Sequence, residues 1–563
     1  MVNCIKMMMT SLMITGGLMV SCTGNLPQKS DNLKQTASVY PVLKNELDNQ
    51  VMKITFNNPN DLAELSEVVV DILNTDKHNI DNVKLYFTGS HELFNNAVLF
   101  GSPSSVTSGK ITFKGKQFMK RGVNHLWVSC HVSKNASAQG HISTKLSELT
   151  VDGKRLIPSN DTFVSKQRLG VSVRDKGVDG VHTYRIPGLT TTNDGTLLAI
   201  YDVRRDKGRD LQGNIDIGVS RSTDKGKSWE PMRIALDMGA WGNLPEKFNG
   251  VSDANILVDK NTGDIFIAGL WMYGVISPEG KWLEGLNEES SAWNHQWRNR
   301  GSQAGLDVKQ TSQFLITKSS DDGKTWSDPV NITQMCKKKE WWLYAPAPGA
   351  GITLKDGTLV FPTQGRDKKG LPFSNITYSK DGGKTWTTSA PAAHNTTECM
   401  AVELGDGSIM LNMRDNRNRK NKGDNNGRNI AITQDLGDSW TPSSTSHNAL
   451  IEPVCMASII RHDYIEEGEK KHVLLFSNPN SKRSRSHQTI KVSFDDGKTW
   501  PKQFWMELDA GRGAGYSCLT SIDNENIGIL YEGSVSWMTF QSIPLKELLT
   551  PKQKRELIIA DHF

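Results

Sequence analysis

The run Val203-Arg204-Arg205-Asp206-Lys207-Gly208-Arg209-Asp210 crowds charge around one glycine and offers two acids, Asp206 and Asp210, on what reads as a mobile loop. A carboxylic acid that can close over a bound molecule suits general acid and base chemistry. The plainer reading pairs either acid with Arg205 or Arg209. Three further stretches place an arginine beside a strand-like run: Arg185 in Tyr184-Arg185-Ile186-Pro187, Arg414 in Met410-Leu411-Asn412-Met413-Arg414, and Arg485, with Arg483 as its rival, ahead of Thr489. A guanidinium is permanently charged and grips both oxygens of a carboxylate with a planar fork, where lysine offers a point charge. Glu398 in Thr397-Glu398-Cys399 and Tyr516 in Gly515-Tyr516-Ser517 add a carboxylate and a phenol. With an ordinary pKa of about 10, a tyrosine attacks only when a neighbouring base takes its proton. Metal chemistry finds no support, because the seven cysteines include no CxxC pair; Cys130, Cys336, Cys399, Cys455 and Cys518 read as buried thiols. Lys337 to Lys339 and Arg417 to Lys422 read as solvated charge runs.

Such residues lie far apart in the chain, so a scaffold must bring them together. The 563 residues are 37% hydrophobic, 23% charged and 7% aromatic, an ordinary globular composition that excludes disorder and collagen-like structure. The +5 net charge arises from 66 basic and 61 acidic residues without blocks, which gives nucleic-acid binding no support. Fifteen Trp and 49 Gly point to turn-rich β structure with a recurring aromatic. That aromatic closes a repeat, Ser/Thr-x-Asp-x-Gly-x-Ser/Thr-Trp, found at Ser222 to Trp229, Ser319 to Trp326, Ser379 to Trp386, Thr433 to Trp440 and Ser493 to Trp500. In each copy Asp can bond the amides of its own turn, Gly takes a conformation that a Cβ forbids, and Trp packs beneath. The copies are 97, 60, 54 and 60 residues apart, which suits one four-stranded propeller blade each, with an insertion or an unmarked blade in the first gap. Residues 161–563 then hold six blades. Before them, residues 23–160 alternate short apolar runs with turns, as in Val68 to Leu73, Val83 to Phe87 and His125 to Ser129, and predict a β-sandwich. The polar stretch Ile157 to Asp161 reads as the linker. Residues 1–22, with Lys6 ahead of an apolar run, read as a secretory signal. Leu18-Met19-Val20-Ser21-Cys22 resembles a bacterial lipobox, which predicts export as a periplasmic or cell-surface lipoprotein, or else plain secretion. Membrane contact is then only through a lipid on Cys22.

The repeats resemble the Asp boxes of sialidases, and Tyr184-Arg185-Ile186-Pro187 resembles the Phe/Tyr-Arg-Ile-Pro motif of that family. In this combination the chain is similar to the exo-α-sialidases (neuraminidases) of gut and oral Bacteroidetes over roughly residues 168–563. Asp boxes alone also occur in propellers without glycosidase activity, so function has to be read from the site. The resemblance implies an all-β protein, a six-bladed β-propeller preceded by a β-sandwich akin to a carbohydrate-binding module. It implies a monomer that removes terminal sialic acids from sialylated glycans with retention, using no cofactor and no metal. Sialic acid carries a carboxylate on its anomeric carbon, so an Asp or Glu nucleophile meets like-charge repulsion and a tyrosine does not. A tyrosine nucleophile is the general rule for sialidases rather than something peculiar to this chain. By resemblance, Arg185, Arg414 and Arg485 clamp the carboxylate, Tyr516 attacks with Glu398 as base, and Asp210 is the acid and base for the leaving group and water. Glu532 matches the family glutamate that holds the first arginine. Arg204 and Asp253 match residues around the sugar's 4-hydroxyl. Glu403, in the strand before Gly405, reads as structural.

Two enzyme readings share every residue named, an intramolecular trans-sialidase and an enzyme preferring a deaminated sialic acid. A non-catalytic glycan-binding propeller has no reason to keep the phenol, the acids and three arginines at family spacings. The stretch Trp271 to Gly301, with Trp271, Tyr273, Trp282, Trp293 and Trp297, reads as a lid, an aglycone wall or a locally packed insertion.

Overall fold

Leu197–Arg204 and Ile215–Ser222 are buried along their whole length. Strands covered on both faces read as continuous apolar runs, and both faces are covered here because sheets stack side by side. The computed structural model describes residues 26–555 except 45, 74–78, 103–108, 212, 276, 278–280, 288 and 291–301; the leader with Cys22 lies outside the described residues. The chain is all-β with a β-propeller arrangement. Five sheets follow in chain order, opening with Thr183–Thr191, Val251–Val258, Tyr344–Pro346, Thr396–Glu403 and Ser458–Glu466, and all are antiparallel but for Gly349–Ala350, which adds parallel to Val251–Val258. Opening strands of neighbouring sheets touch, Thr183–Thr191 against Val251–Val258 and Thr396–Glu403 against Ser458–Glu466.

The final strands Ser517–Ser521, Asn526–Tyr531 and Met538–Pro544 are completed by Ser165–Arg174 from before the first sheet, whose Val171, Ser172 and Arg174 pair with Phe540, Thr539 and Met538. The other half of Ser165–Arg174 pairs with His141–Val151, so one 12-stranded sheet runs from the N-terminal unit into the propeller. The expected linker is therefore not loose chain: Ile157 and Pro158 pair with Lys29 and Ser30. The N-terminal unit has its own apolar core, and the runs at Val68 and His125 are parts of two long strands, Asn49–Leu73 and Lys110–Val132, which pair along their length through bulges.

The five boxes form one turn five times. In the first, Asp224 Oδ1 accepts from the Ser228 amide at 2.9 Å and from the Ser222 hydroxyl, whose oxygen accepts the Gly226 amide at 2.8 Å. The glycines sit at positive φ for a reason beyond the turn. A Cβ on Gly226 would lie 2.1 Å from the Phe540 ring, and one on Gly383 would lie 2.7 Å from Phe266, each in the neighbouring sheet. Each such turn thus presses on the sheet beside it, and Gly226 presses the first sheet against the last. The indoles fill the space behind, as Trp386 does between Phe266 and Phe361.

Candidate active site

A cavity of about 320 Å³ is lined by Arg185, Asp253 and Glu398 from opening strands, Tyr516 just ahead of one, Arg414 from a second strand, and Asp210 and Arg485 from loops that follow second strands. The opening strands break register where these residues sit: between Arg185 and Gly188, between Ser252 and Asn255, and between Thr396 and Cys399. A bulge re-aims a side chain that a flat pleat would leave along the sheet. Ile186 at φ 64° and Asp253 at φ 57° carry the strain, at about 1–3 kcal/mol each.

Tyr516 follows Gly515, which sits at φ 89°, and is 6% exposed. Its hydroxyl donates to Glu398 Oε1, while Arg414 Nη1 donates both to Glu398 Oε2 and, at 3.0 Å, to the phenol oxygen. The guanidiniums of Arg185 and Arg485 lie 5.5 and 5.4 Å from its ring centroid. Burial and the Glu398 charge push the phenol well above its ordinary pKa, although Arg414 and Arg485 pull the other way. The resting tyrosine is therefore protonated, with its proton aimed at Glu398.

Buried Glu532 lies behind the wall and accepts from Arg185 Nε and, at 2.9 Å each, from the backbone amides of Ile186 and Tyr516. Burial opposes its ionisation, but the Arg185 charge and these donors outweigh it and hold the carboxyl below its usual range. One carboxylate thus ties the Arg185 strand to the Tyr516 strand. Arg485 donates to the carbonyls of Ala514 at 2.8 Å and Val454 at 3.3 Å, whereas Arg483 is exposed and outside the wall.

Arg204 is also outside the wall. Fully buried, it binds Asp202 Oδ2 through Nε and Nη2 at 3.1 and 2.8 Å and reaches Asp210 with Nη1. Asp210 itself is half exposed and faces the cavity. Beneath it, burial and the nearby Asp202, Asp210 and Glu398 charges hold Asp253 well above the carboxylate range against the pull of Arg204. Asp206 does not line the cavity, and Glu403 accepts from the Lys355 amide at 3.1 Å in a turn.

Several residues escaped the sequence reading. Asp202 accepts the Asp253 amide at 3.2 Å and positions that bulge. The buried Arg428–Glu452 pair fixes the backbone after Arg414, since Glu452 Oε1 accepts the Asp415 amide at 2.7 Å. Gln364, Arg366, Asn416 and Arg419 line the cavity. A signal for Arg366 existed: it ends the second strand of its sheet, as Arg204 does and as Arg414 nearly does. Arg419 lies in a charge run read as solvated, and so does Lys337, which is 5% exposed with Nζ donating at 2.6 Å to the Gly305 and Trp341 carbonyls. Backbone oxygens satisfy it where a charge pattern suggested water. Trp271 and Tyr273 belong to the core and meet Trp241 edge-on. None of the described aromatics of Trp271 to Gly301 lines the cavity, and Trp293 and Trp297 lie outside the described residues. The five cysteines from Cys130 to Cys518 are buried free thiols.

Residues 186–505 match the family model for a BNR repeat-like domain, and residues 30–155 match that for the N-terminal domain of BNR-repeat neuraminidase. A sialidase of Bacteroides fragilis is 38% identical over 555 residues, covering 94% of this chain and 97% of its own. A sialidase of Micromonospora viridifaciens is 31% identical, covering 68% of this chain and 54% of its own. Among solved structures, the Hadza microbial sialidase Hz136 superposes with a TM-score of 0.82 at 37% identity, covering 91% of this chain and 99% of that one.

Proposed function

As a member of the BNR-repeat sialidase family, the chain is a glycoside hydrolase, and we propose that it releases terminal α-linked sialic acids from glycoproteins, glycolipids and oligosaccharides with retention of configuration. The observation that carries this reading is the buried Tyr516–Glu398 hydrogen bond spanned by Arg414. Arg185, Arg414 and Arg485 hold the substrate carboxylate. Tyr516 Oη attacks the anomeric carbon as its proton passes to Glu398, and the glycosidic bond breaks as Asp210 protonates the departing oxygen. Asp210 engages Arg204 in the free enzyme, so it swings off that guanidinium to reach substrate. It then takes a proton from water, which displaces the tyrosine, and Glu398 returns the proton to the phenolate. The clamped carboxylate and the phenolate stabilise the cation-like sugar between.

A second assignment of the acid is favoured by one observation: Asp253 is the wall carboxyl whose ionisation burial and the neighbouring Asp202, Asp210 and Glu398 charges oppose. If it supplies the proton, Asp253→Asn abolishes turnover of poor leaving groups and Asp210→Asn does not. If Asp210 does, the pattern reverses, and Asp253 serves as a donor to a sugar hydroxyl.

The remaining organisation belongs to the same proposal. The final strands with Ser165–Arg174 form a sixth blade, residues 23–160 form a sandwich, and the protein is exported with a lipid on Cys22. Incubation with sialyllactose tests the activity. Free sialic acid supports hydrolysis; an anhydro product alone replaces it with an intramolecular trans-sialidase, and no sialic-acid product rejects the enzyme reading.

A further inference from the structure

Five guanidiniums line the cavity, those of Arg185, Arg366, Arg414, Arg419 and Arg485, against the carboxyls of Asp210, Asp253 and Glu398. Glu398 is engaged by Arg414 and Asp210 by Arg204, while burial opposes a charge on Asp253. A single substrate carboxylate, held by the three clamping arginines, leaves Arg366 unanswered. This residue ends the strand Leu359–Arg366 beside the turn into Pro372–Ser379. Its side-chain hydrogen bond is one long contact, Nη1 to the Gly370 carbonyl at 3.4 Å, and among the described residues no carboxylate pairs with it. Burial alone acts on its pKa and pulls it down. A half-buried guanidinium without a counter-ion is unfavourable unless a ligand supplies one. Gln364, two residues earlier on the same face of its strand, looks into the same cavity, and Asn416 and Arg419 approach from the short helical turn Asn416–Arg419.

Building on the exo-sialidase reading, we infer that Arg366, with Arg419, Gln364 and Asn416, forms a second anion subsite. It takes an oxyanion carried by the sugar next to the cleaved sialic acid, either the carboxylate of a further sialic acid or a sulfate ester. The planar fork binds either group bidentately.

The test compares kcat/KM of wild type, Arg366→Gln and Arg366→Lys on an aryl sialoside with an uncharged leaving group, an α2,8-linked sialic acid dimer, and a sialyllactose sulfated on galactose. Arg366→Gln lowers kcat/KM about 10- to 100-fold on a substrate with the second anion, and by no more than about twofold on the aryl sialoside. Arg366→Lys restores part of the loss, and the dimer and the sulfated sugar separately report which anion is taken. Equal losses on charged and uncharged substrates overturn the subsite and place Arg366 on the cleaved sugar; unchanged values on all three overturn it as well. If wild type fails to turn over the aryl sialoside, the exo-sialidase reading fails instead. Calorimetric binding of the dimer to wild type and Arg366→Gln then decides the subsite on its own, and equal affinity rejects it.

Discussion

The box turns and the cavity wall are built by the same sheets and obey opposite rules. Every box repeats one set of bonds, with Asp435 accepting the Ser439 amide as Asp224 accepts that of Ser228, and every box glycine gives way to a neighbouring sheet. Around the cavity nothing repeats. One opening strand presents Arg185 beside a strained isoleucine, the next a strained Asp253, another Glu398, and Tyr516 precedes the last. Uniform turns make the sheets interchangeable as scaffold, so the other end is free to differ sheet by sheet. Left-handed backbone serves both regions: Lys225, Asp322, Leu436 and Asp496 adopt it in the box turns, where it recurs at one position, whereas Ile186 and Asp253 adopt it singly at the wall.

The two regions should therefore fail differently. The largest effect belongs to Tyr516→Phe, which removes the attacking oxygen and lowers kcat by about a thousandfold or more while the melting temperature stays put; unchanged turnover rejects Tyr516 as nucleophile. Next, Glu532→Gln keeps the shape but takes the charge from Arg185. A loss of about 10- to 100-fold in kcat/KM is expected, rescued by Glu532→Asp in part, and it should appear as a raised KM because carboxylate binding suffers first. On the scaffold side, Trp386→Ala empties the space between Phe266 and Phe361 and costs about 3–5 kcal/mol in chemical denaturation, with kcat per folded molecule unchanged. A fall in kcat there would break the separation of the two regions.

The smallest effect is acid dependence. The Thr385 hydroxyl and amide and the Ser379 hydroxyl hold Asp381 at about 2. A carboxylate whose folded pKa is depressed stabilises fully above its unfolded value and loses that contribution as pH falls from about 4 toward 2. Asp381→Asn should flatten the melting-temperature profile in that window and leave it unchanged near neutrality. A variant profile parallel to wild type would mean that the box carboxylate contributes no proton-linked stability.

Much of the scaffold was legible because it is written repeatedly. The box pattern predicted the turns, the positive-φ glycines and the propeller, although it gave no hint that the glycines face the next sheet. The wall was legible only through motifs, since no periodicity links Arg185 to Tyr516, and contact between them depends on a ring closing over the intervening residues. Arg204 shows the limit. Its match to a family residue around the sugar's 4-hydroxyl suggested the pocket, yet Asp202, two residues earlier on the same strand face, draws it beneath the surface. Lys337 shows another, because backbone carbonyls leave no sequence signature. The linker stretch shows a third, because a polar, proline-containing segment still adds a strand when an edge lies beside it.

Ser165–Arg174 joins residues made early in synthesis to strands made last. Until residues 517–544 emerge, half of that strand is an unpaired edge, a template for association with other chains. Its other half is already held by His141–Val151, so the early-made unit keeps the edge anchored in one place during the wait. Closure of the ring is then a contact of very high sequence separation, slow to form because of the loop it must close. Loss of the last three strands should be felt at the opposite end of the chain, as exposure of Ser165–Arg174 and a tendency to pair between molecules.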